Sequence, residues 1–312
     1  MQMIEVAAKS GADAVKFQTF RAEDLSTAYA EKADYQKLAT SGNESQQKML
    51  KALELPEAVY TQLVDYCDQQ GVEFMSTAFD IRSMDFLVSL GIKRIKIPSG
   101  ELTNVPLLRH CAKQGLPIIL STGMASFDEI SDAKKVLIDA GVNEQNLSIL
   151  HCNTAYPTPF KDANLACIKT LGGLSASVGY SDHTLGDEAI IASLAMGASI
   201  VEKHFTLDRS LPGPDQATSL EPSELTRMVE KIRNIEQALG NGVKQPTESE
   251  LPNISVARKS IVASKVIAKG EVFSDENLTT KRPGDGISAA FWDDMIGRKA
   301  ARYYSVDEQI EY

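Results

Sequence analysis

The 312-residue sequence is poor in the residues that build metal knuckles, redox pairs and nucleic-acid surfaces. It has one tryptophan and four histidines. Its four cysteines (Cys67, Cys111, Cys152, Cys167) show no paired spacing and fall in apolar surroundings. They read as reduced core thiols and exclude a paired-cysteine zinc site. No uninterrupted apolar run reaches transmembrane length and no secretory leader pattern opens the chain, so no membrane partner and a cytoplasmic location are expected. Basic residues are outnumbered, 32 Lys and Arg against 42 Asp and Glu, for a net charge of −10. That balance argues against a nucleic-acid partner. From residue 254 onward nine basic and nine acidic residues cancel, so the whole negative excess lies in the first part. Lysines set in such surroundings suit one small anion better than a polyanion.

What the sequence does have is a repeated form. With 43% hydrophobic residues it can bury one large domain and a small one. Residues 1–10 carry the apolar spacing of a helix, and Gly11 suits its end. A strand follows at 14–20, then a polar excursion, 21–51, of the length that lids and binding loops take. From Pro56 helices predicted at 57–70, 81–90, 107–114, 127–140, 165–171 and 185–196 lead to strands at 73–78, 94–99, 117–122, 147–152, 177–180 and 198–205. A long helix at 222–239 closes the series. Gly71, Gly91, Gly115, Gly141 and Gly197 each fall between a helix and the next strand, where a helix-ending glycine belongs. Seven parallel strands preceded by a helix predict an α/β fold, a TIM (β/α)8 barrel lacking its first strand within this chain. An open doubly wound sheet is the weaker choice, because no glycine-rich dinucleotide loop follows any strand. The barrel domain is assigned to residues 1–240, a linker to 241–253, and a small mixed-β domain of short strands to 254–312.

On a barrel of this kind, functional residues sit at the carboxyl ends of the strands. Those ends are unusually polar here: Lys16 and Gln18, then Ser76 and Thr77, then Lys96, Ser99 and Glu101, then Ser121. Further on come His151, Asn153 and Tyr156, then Ser181, Asp182 and His183, and finally Glu202, His204 and Asp215. Lys16 and Lys96 lie inside apolar runs, where a lysine needs an anion or a carboxylate to stay charged. They either form an anion cage with neighbouring hydroxyls or pair internally, Lys96 with Glu101 for example. His183 and His204 are set to emerge from adjacent strands on one rim, as metal ligands, as an acid–base pair or as satisfied core residues. Two imidazoles with open positions would suit Mn²⁺ or Co²⁺ better than a closed structural zinc. His151 is a candidate to orient a neighbour, His110 reads as structural or exposed, and Met124, Met196 and Phe205 read as packing residues. Arg282, in a Lys-Arg-Pro-Gly turn, is either a surface residue or a group reaching a barrel mouth, in its own subunit or a partner's.

Taken together, eight stretches resemble those of the sialic acid synthases, the phosphoenolpyruvate-dependent N-acylneuraminate synthase family that includes legionaminate and pseudaminate synthases. They are AVKFQT (14–19), IKIPSGE (95–101), LSTGM (120–124), HCNTAYPTP (151–159), GYSDHT (179–184), EKHFT (202–206), GPD (213–215) and KRPG (281–284). They run in order over nearly the whole chain, and the C-terminal region is similar to a SAF, antifreeze-like, domain. The resemblance implies condensation of phosphoenolpyruvate with a 2-acetamido sugar. N-acetylmannosamine, giving N-acetylneuraminate, is the main expectation. A 2,4-diacetamido-2,4,6-trideoxy sugar, giving legionaminate or pseudaminate, is the alternative, and a non-catalytic homologue the remote one. The resemblance also implies a divalent ion, Mn²⁺ first with Mg²⁺ or Co²⁺ possible, on His183 and His204. It implies Lys16, Thr77, Lys96, Ser99, Ser121 and Ser181 around phosphoenolpyruvate, and Gln18, Glu101, Tyr156 and Asp215 around the sugar. Lys16, Lys96, Glu101, His183 and His204 are the expected catalytic group. Arg282 would come from the second subunit of a domain-swapped homodimer. Residues that distinguish acceptor sugars are expected in 23–49 and after the strand at 147–152. The family also carries a strand-one glutamate in a stretch that would precede Met1, so a start upstream of Met1 is expected.

Overall fold

The computed structural model describes residues 1–33, 36–37 and 44–312. Part of the polar excursion at 21–51, residues 34–35 and 38–43, lies outside these. The chain separates into two compact units, Met1–Gly240 and Asn241–Tyr312.

The first unit is built on seven parallel strands in sequence order: β1 (Ala14–Thr19), β2 (Glu73–Ala78), β3 (Ile95–Ile97), β4 (Ile118–Ser121), β5 (Leu147–Cys152), β6 (Ser177–Asp182) and β7 (Ile200–Lys203). Its helices are α1 (Gln2–Lys9), α2 (Ala22–Leu25), α3 (Gln46–Leu53), α4 (Tyr60–Gln70), α5 (Ile81–Ser89), α6 (Val105–Ala112), α7 (Phe127–Asp139), α8 (Cys167–Leu171), α9 (Glu188–Ala195) and α10 (Pro222–Leu239). Starts and stops follow local chemistry. Ser126 and Glu129 close a capping box at α7, and Asp80 caps α5 through the Ser83 amide. The five glycines between helix and strand all take positive φ. Pro98 follows β3, which is shorter than the apolar run suggested, and the chain turns into a 3-10 segment at Ser99–Glu101. Gly186, at φ +75°, likewise delays α9 to Glu188.

Side chains alternate across these strands, so each strand serves two cores. The outward set (Phe74, Ile95, Ile97, Ile118, Leu120, Leu147, Ile149) packs under the helices in the main hydrophobic cluster. The inward set begins with a small apolar layer of Met75, Ile119 and Leu150, joined by Ala14 and Ile200. Gly179 of β6 completes that layer by leaving space: a Cβ there would lie 2.4 Å from the Ile200 carbonyl oxygen and 2.5 Å from Leu150. The sheet curls far enough for Lys16 of β1 to come within 3.8 Å of Glu202 of β7. Arg233 of α10 meanwhile pairs with Asp13, just before β1, at 2.7 Å. Among the described residues β1 and β7 do not pair with each other, and the result is a curled, TIM-like half-barrel.

The second unit has helix α11 (Leu251–Ala257), an antiparallel pair β8 (Ser260–Ala263) and β9 (Leu278–Lys281), and helix α12 (Trp292–Met295). Its core is Ile261, Ile267, Phe273, Leu278, Met295 and Tyr304. Composition marked 241–253 as linker, but its last residues enter α11, where Pro252 occupies a first-turn position that lacks nothing by having no N–H. Within residues 266–270 the strand pairing is a bridge between Ile267 and Tyr304. Arg282 sits here, its Nε donating to the Ala257 carbonyl at 3.0 Å.

Candidate active site

Two residues beyond this layer on β1, β2, β4, β5, β6 and β7 the inward face changes from apolar to polar, and Lys96 of β3 joins it there. Lys16, Thr77, Lys96, Ser121, Cys152, Ser181 and Glu202 line the floor of one cavity of about 940 Å³ at the carboxyl ends of the strands. Gln18, Ser99, Glu101, Tyr156, His183, His204 and Asp215 line the same cavity. Every barrel residue expected around a substrate therefore meets in one place. Arg282 belongs to the other unit.

The charge centre of this floor is Glu202. Its carboxylate lies 3.5 Å from Lys96 Nζ and 3.8 Å from Lys16 Nζ, and it accepts a hydrogen bond from Ser181 at 2.8 Å. Burial alone would raise the Glu202 pKa, but the two ammonium groups and the Ser181 hydroxyl overcome it and hold the carboxyl below its usual range. Burial lowers the pKa of Lys96, against the pull of Glu202. Lys96 also donates to Ser121 at 2.7 Å. The suggested internal partner, Glu101, is instead bonded by Asn104 at 2.6 Å. Glu202, named above among the polar strand ends, has no role in the set implied by the resemblance, although it precedes His204 by two on a strand, which puts both on the inward face. The Thr77 hydroxyl is buried without a hydrogen-bond partner, as is Oδ1 of Asp215. Such groups are costly unless something bonds them, so both are poised for a ligand.

Next to this floor stand the two imidazoles, ring centroids 5.2 Å apart at 78°. Tyr156 lies over both, 4.1 Å from His183 and 5.6 Å from His204, centroid to centroid. His183 Nδ1 faces the Asn153 carbonyl oxygen, which can only accept, so Nδ1 carries the proton and Nε2 keeps its lone pair. The Thr158 amide binds the His183 carbonyl at 2.8 Å and ties the loop after β5 to this residue. On the outward face beneath, the buried pair Lys203–Asp182 holds Thr184: Asp182 accepts from the Thr184 amide and hydroxyl, and Lys203 donates to the Thr184 carbonyl. Burial keeps both imidazoles neutral. The His183 pKa is lowered, and that of His204 is pushed down to about 3 by burial, then by Lys16 and His183. Asp215 Oδ2 lies 3.7 Å from His204 Nδ1, and burial raises its pKa.

Some expectations fail. His151, a candidate to orient a neighbour, takes the outward face of β5 away from the cavity, where it stacks on Tyr180 and bonds the Ala163 carbonyl at 2.8 Å. Met124 is no packing residue: it lines the cavity with 73% of its surface exposed and with φ +67°. Cys152, read as a plain core thiol, lies at the site's edge, 3.9 Å from His183 Nδ1.

The NeuB family pattern matches residues 3–244 and the SAF domain pattern residues 258–311. The chain is similar to the N,N'-diacetyllegionaminic acid synthase of Campylobacter jejuni, 47% identical over 99% of this chain and 93% of that one. The Legionella pneumophila protein of the same name is 45% identical, over 96% and 85%. Human N-acetylneuraminate-9-phosphate synthase is 32% identical, over 90% and 77%. Among solved structures, the N-acetylneuraminic acid synthetase of Leptospira borgpetersenii matches with a TM-score of 0.70 at 33% identity, covering 81% of this chain and 83% of that one. The chain belongs to the NeuB family of sialic-acid-type synthases, and it carries a SAF domain.

Proposed function

We propose that this enzyme condenses phosphoenolpyruvate with a 2,4-diacetamido-2,4,6-trideoxy sugar and water, giving an N,N'-diacetyllegionaminate-type acid and phosphate. The observation that carries the reading is the single cavity in which a two-lysine anion floor with an unpartnered Thr77 hydroxyl adjoins a neutral histidine pair. The acceptor moves away from N-acetylmannosamine because the more similar relatives are legionaminic acid synthases, at 47% and 45% identity against 32% for the neuraminate enzyme.

Two lysines against one glutamate leave the floor net positive, which suits the phosphate and carboxylate of phosphoenolpyruvate. Lys16, Thr77, Lys96, Ser99, Ser121 and Ser181 would hold those groups, with Glu202 fixing both ammonium groups. Carbon 3 of phosphoenolpyruvate attacks the sugar's aldehyde carbon with its C2–C3 π pair, and the aldehyde π pair moves to its oxygen, which takes up the proton that the water gives up. Water adds at carbon 2, and phosphate leaves with its bridging oxygen's C–O bond broken. Gln18, Glu101, Tyr156 and Asp215 would orient the sugar.

The residues present fit a divalent metal. His183 is held by a carbonyl at Nδ1, which is how a metal-ligating imidazole is usually oriented, and Asp215 Oδ1 is unpartnered nearby. Among the described residues no three His, Cys, Asp or Glu side chains group as a metal site, so His183 and His204 would be the protein ligands with other positions open. A bound ion, Mn²⁺ in our reading, would polarise the aldehyde and lower the pKa of water. Arg282 is proposed to contact the N-acyl group from a second copy of the chain, which makes the active form a homodimer.

Phosphate release from phosphoenolpyruvate with Mn²⁺, measured against both sugars, tests the reading. Turnover of the diacetamido sugar well above N-acetylmannosamine supports it. Preference for N-acetylmannosamine would return the neuraminate reading. No release with either sugar, with metal still bound, would leave a non-catalytic homologue.

A further inference from the structure

The cavity has a second side that the condensation chemistry does not use. Beyond the polar floor it is lined by Phe20, Met49, Leu50, Leu53, Leu55 and Phe79. Four of these come from helix α3 and the two residues that follow it, and Phe20 directly follows β1. Phe20 and Phe79 pack edge to face at 5.8 Å, so the surface is continuous across the ends of β1 and β2.

Polar contacts tie α3 to the α2 segment at both of its ends. Glu54, which ends α3, accepts a hydrogen bond of 2.6 Å from the Ala22 amide at the start of α2, and Lys51 binds the same carboxylate at 2.9 Å. Ser26 donates to Gln46 at 3.0 Å, and Gln47 returns a bond of 2.7 Å to the Ser26 carbonyl. Met49 is buried, yet Leu53 and Leu55 keep 43% and 39% of their surface open. Leucines left open at the end of α3, lining a cavity whose floor is lysines and hydroxyls, need an apolar occupant to gain anything from that position.

We propose that α3 is the specificity wall for the acceptor sugar, with Leu53 as its discriminating residue. This rests on the condensation reading above. The candidate acceptors share an aldehyde end and differ at carbons 4 and 6. N-acetylmannosamine presents hydroxyls there, whereas the trideoxy sugar presents an acetamide methyl and a carbon-6 methyl. The aldehyde has to meet phosphoenolpyruvate over the lysine floor, so the far end of the sugar is left for the remaining, apolar lining. Methyl groups gain by leaving water for such a wall, and a hydroxyl placed there loses its hydrogen bonds. One such difference in an apolar pocket changes kcat/KM by roughly 10- to 200-fold.

The test is Leu53→Asn, assayed by phosphate release with each sugar. Because Leu53 is part-exposed, the substitution leaves the fold intact, and a thermal melt matching wild type verifies it. We expect the ratio of kcat/KM, diacetamido sugar over N-acetylmannosamine, to fall about tenfold, mainly through KM for the sugar, while KM for phosphoenolpyruvate stays put. Leu53→Met, which keeps an apolar side chain, should restore the wild-type ratio. An unchanged ratio in Leu53→Asn, with wild type still using the diacetamido sugar, overturns the wall and spares the condensation reading. Wild type that releases phosphate with neither sugar overturns both.

Discussion

The inward face of the sheet holds two layers about 7 Å apart along the strands, and they could hardly differ more. Met75, Ile119, Leu150 and Ile200 form the lower one. Thr77, Ser121, Cys152 and Glu202 stand two residues later on the same four strands and line the cavity. Backbone, pleat and neighbours are nearly the same, and only side-chain chemistry changes. The lower layer is a closed packing problem, solved to the point where Gly179 has no room for a methyl. The upper layer is left unfinished, with the buried Thr77 hydroxyl lacking a partner, as does Asp215 Oδ1 on the cavity wall. Among the described residues of the first unit the buried side-chain atoms without a hydrogen bond are the Thr77 hydroxyl and Asp215 Oδ1, and both border the cavity, which makes it the candidate binding site.

The comparison can be broken most severely at Glu202. In Glu202→Gln, Lys16 and Lys96 lose their shared counter-charge, and breaking such a partly buried network should cost about 3 kcal/mol. Urea unfolding would show the loss, and phosphate release should fall at least about 100-fold. Gly179→Ala probes the other layer. Its new methyl must push the β7 backbone, so we expect about 2 kcal/mol of destabilisation, with phosphoenolpyruvate affinity changing less than stability.

A subtler contrast lies in pH. The His204 pKa is lowered from 6.5 to about 3 in the folded chain, so below pH 6.5 the unfolded state takes up a proton that the folded state refuses. Stability therefore falls as pH drops. His183 and His151, lowered by burial, add to the same trend. Unfolding free energies measured between pH 6.5 and 5 should lose up to about 1.4 kcal/mol per pH unit for each such proton. His204→Gln should remove one proton's share of that slope, and an unchanged slope would mean His204 is not shielded.

Much of this was readable from residues alone, for definite reasons. Strands announced themselves as short apolar runs after glycine-ended helices. Lys16 and Lys96 stood out as charges inside such runs, and His183 and His204 as imidazoles at the carboxyl ends of two neighbouring ones. What stayed hidden depends on three-dimensional closure. Glu202 serves both lysines only because the sheet curls β1 round to β7, and nothing local to IKIPSGE reveals that Lys96 reaches Glu202 rather than Glu101. His183 owes its orientation to a main-chain carbonyl, at Asn153, which leaves no trace in residue type. His151 was misplaced by a single step of alternation, which sends a side chain to the opposite face of its strand. Met124 shows the converse, an apolar residue whose left-handed backbone turns it out to the cavity.

The most direct measurement is a calorimetric titration of phosphoenolpyruvate into wild type and Thr77→Val, with unfolding of both followed in urea. Valine keeps the shape and removes a hydroxyl that has no partner in the folded chain. The account predicts unfolding free energies equal within about 0.5 kcal/mol, together with roughly tenfold weaker binding of phosphoenolpyruvate. Undiminished binding by Thr77→Val would contradict it, and would mean that the unfinished layer is not where the anion goes.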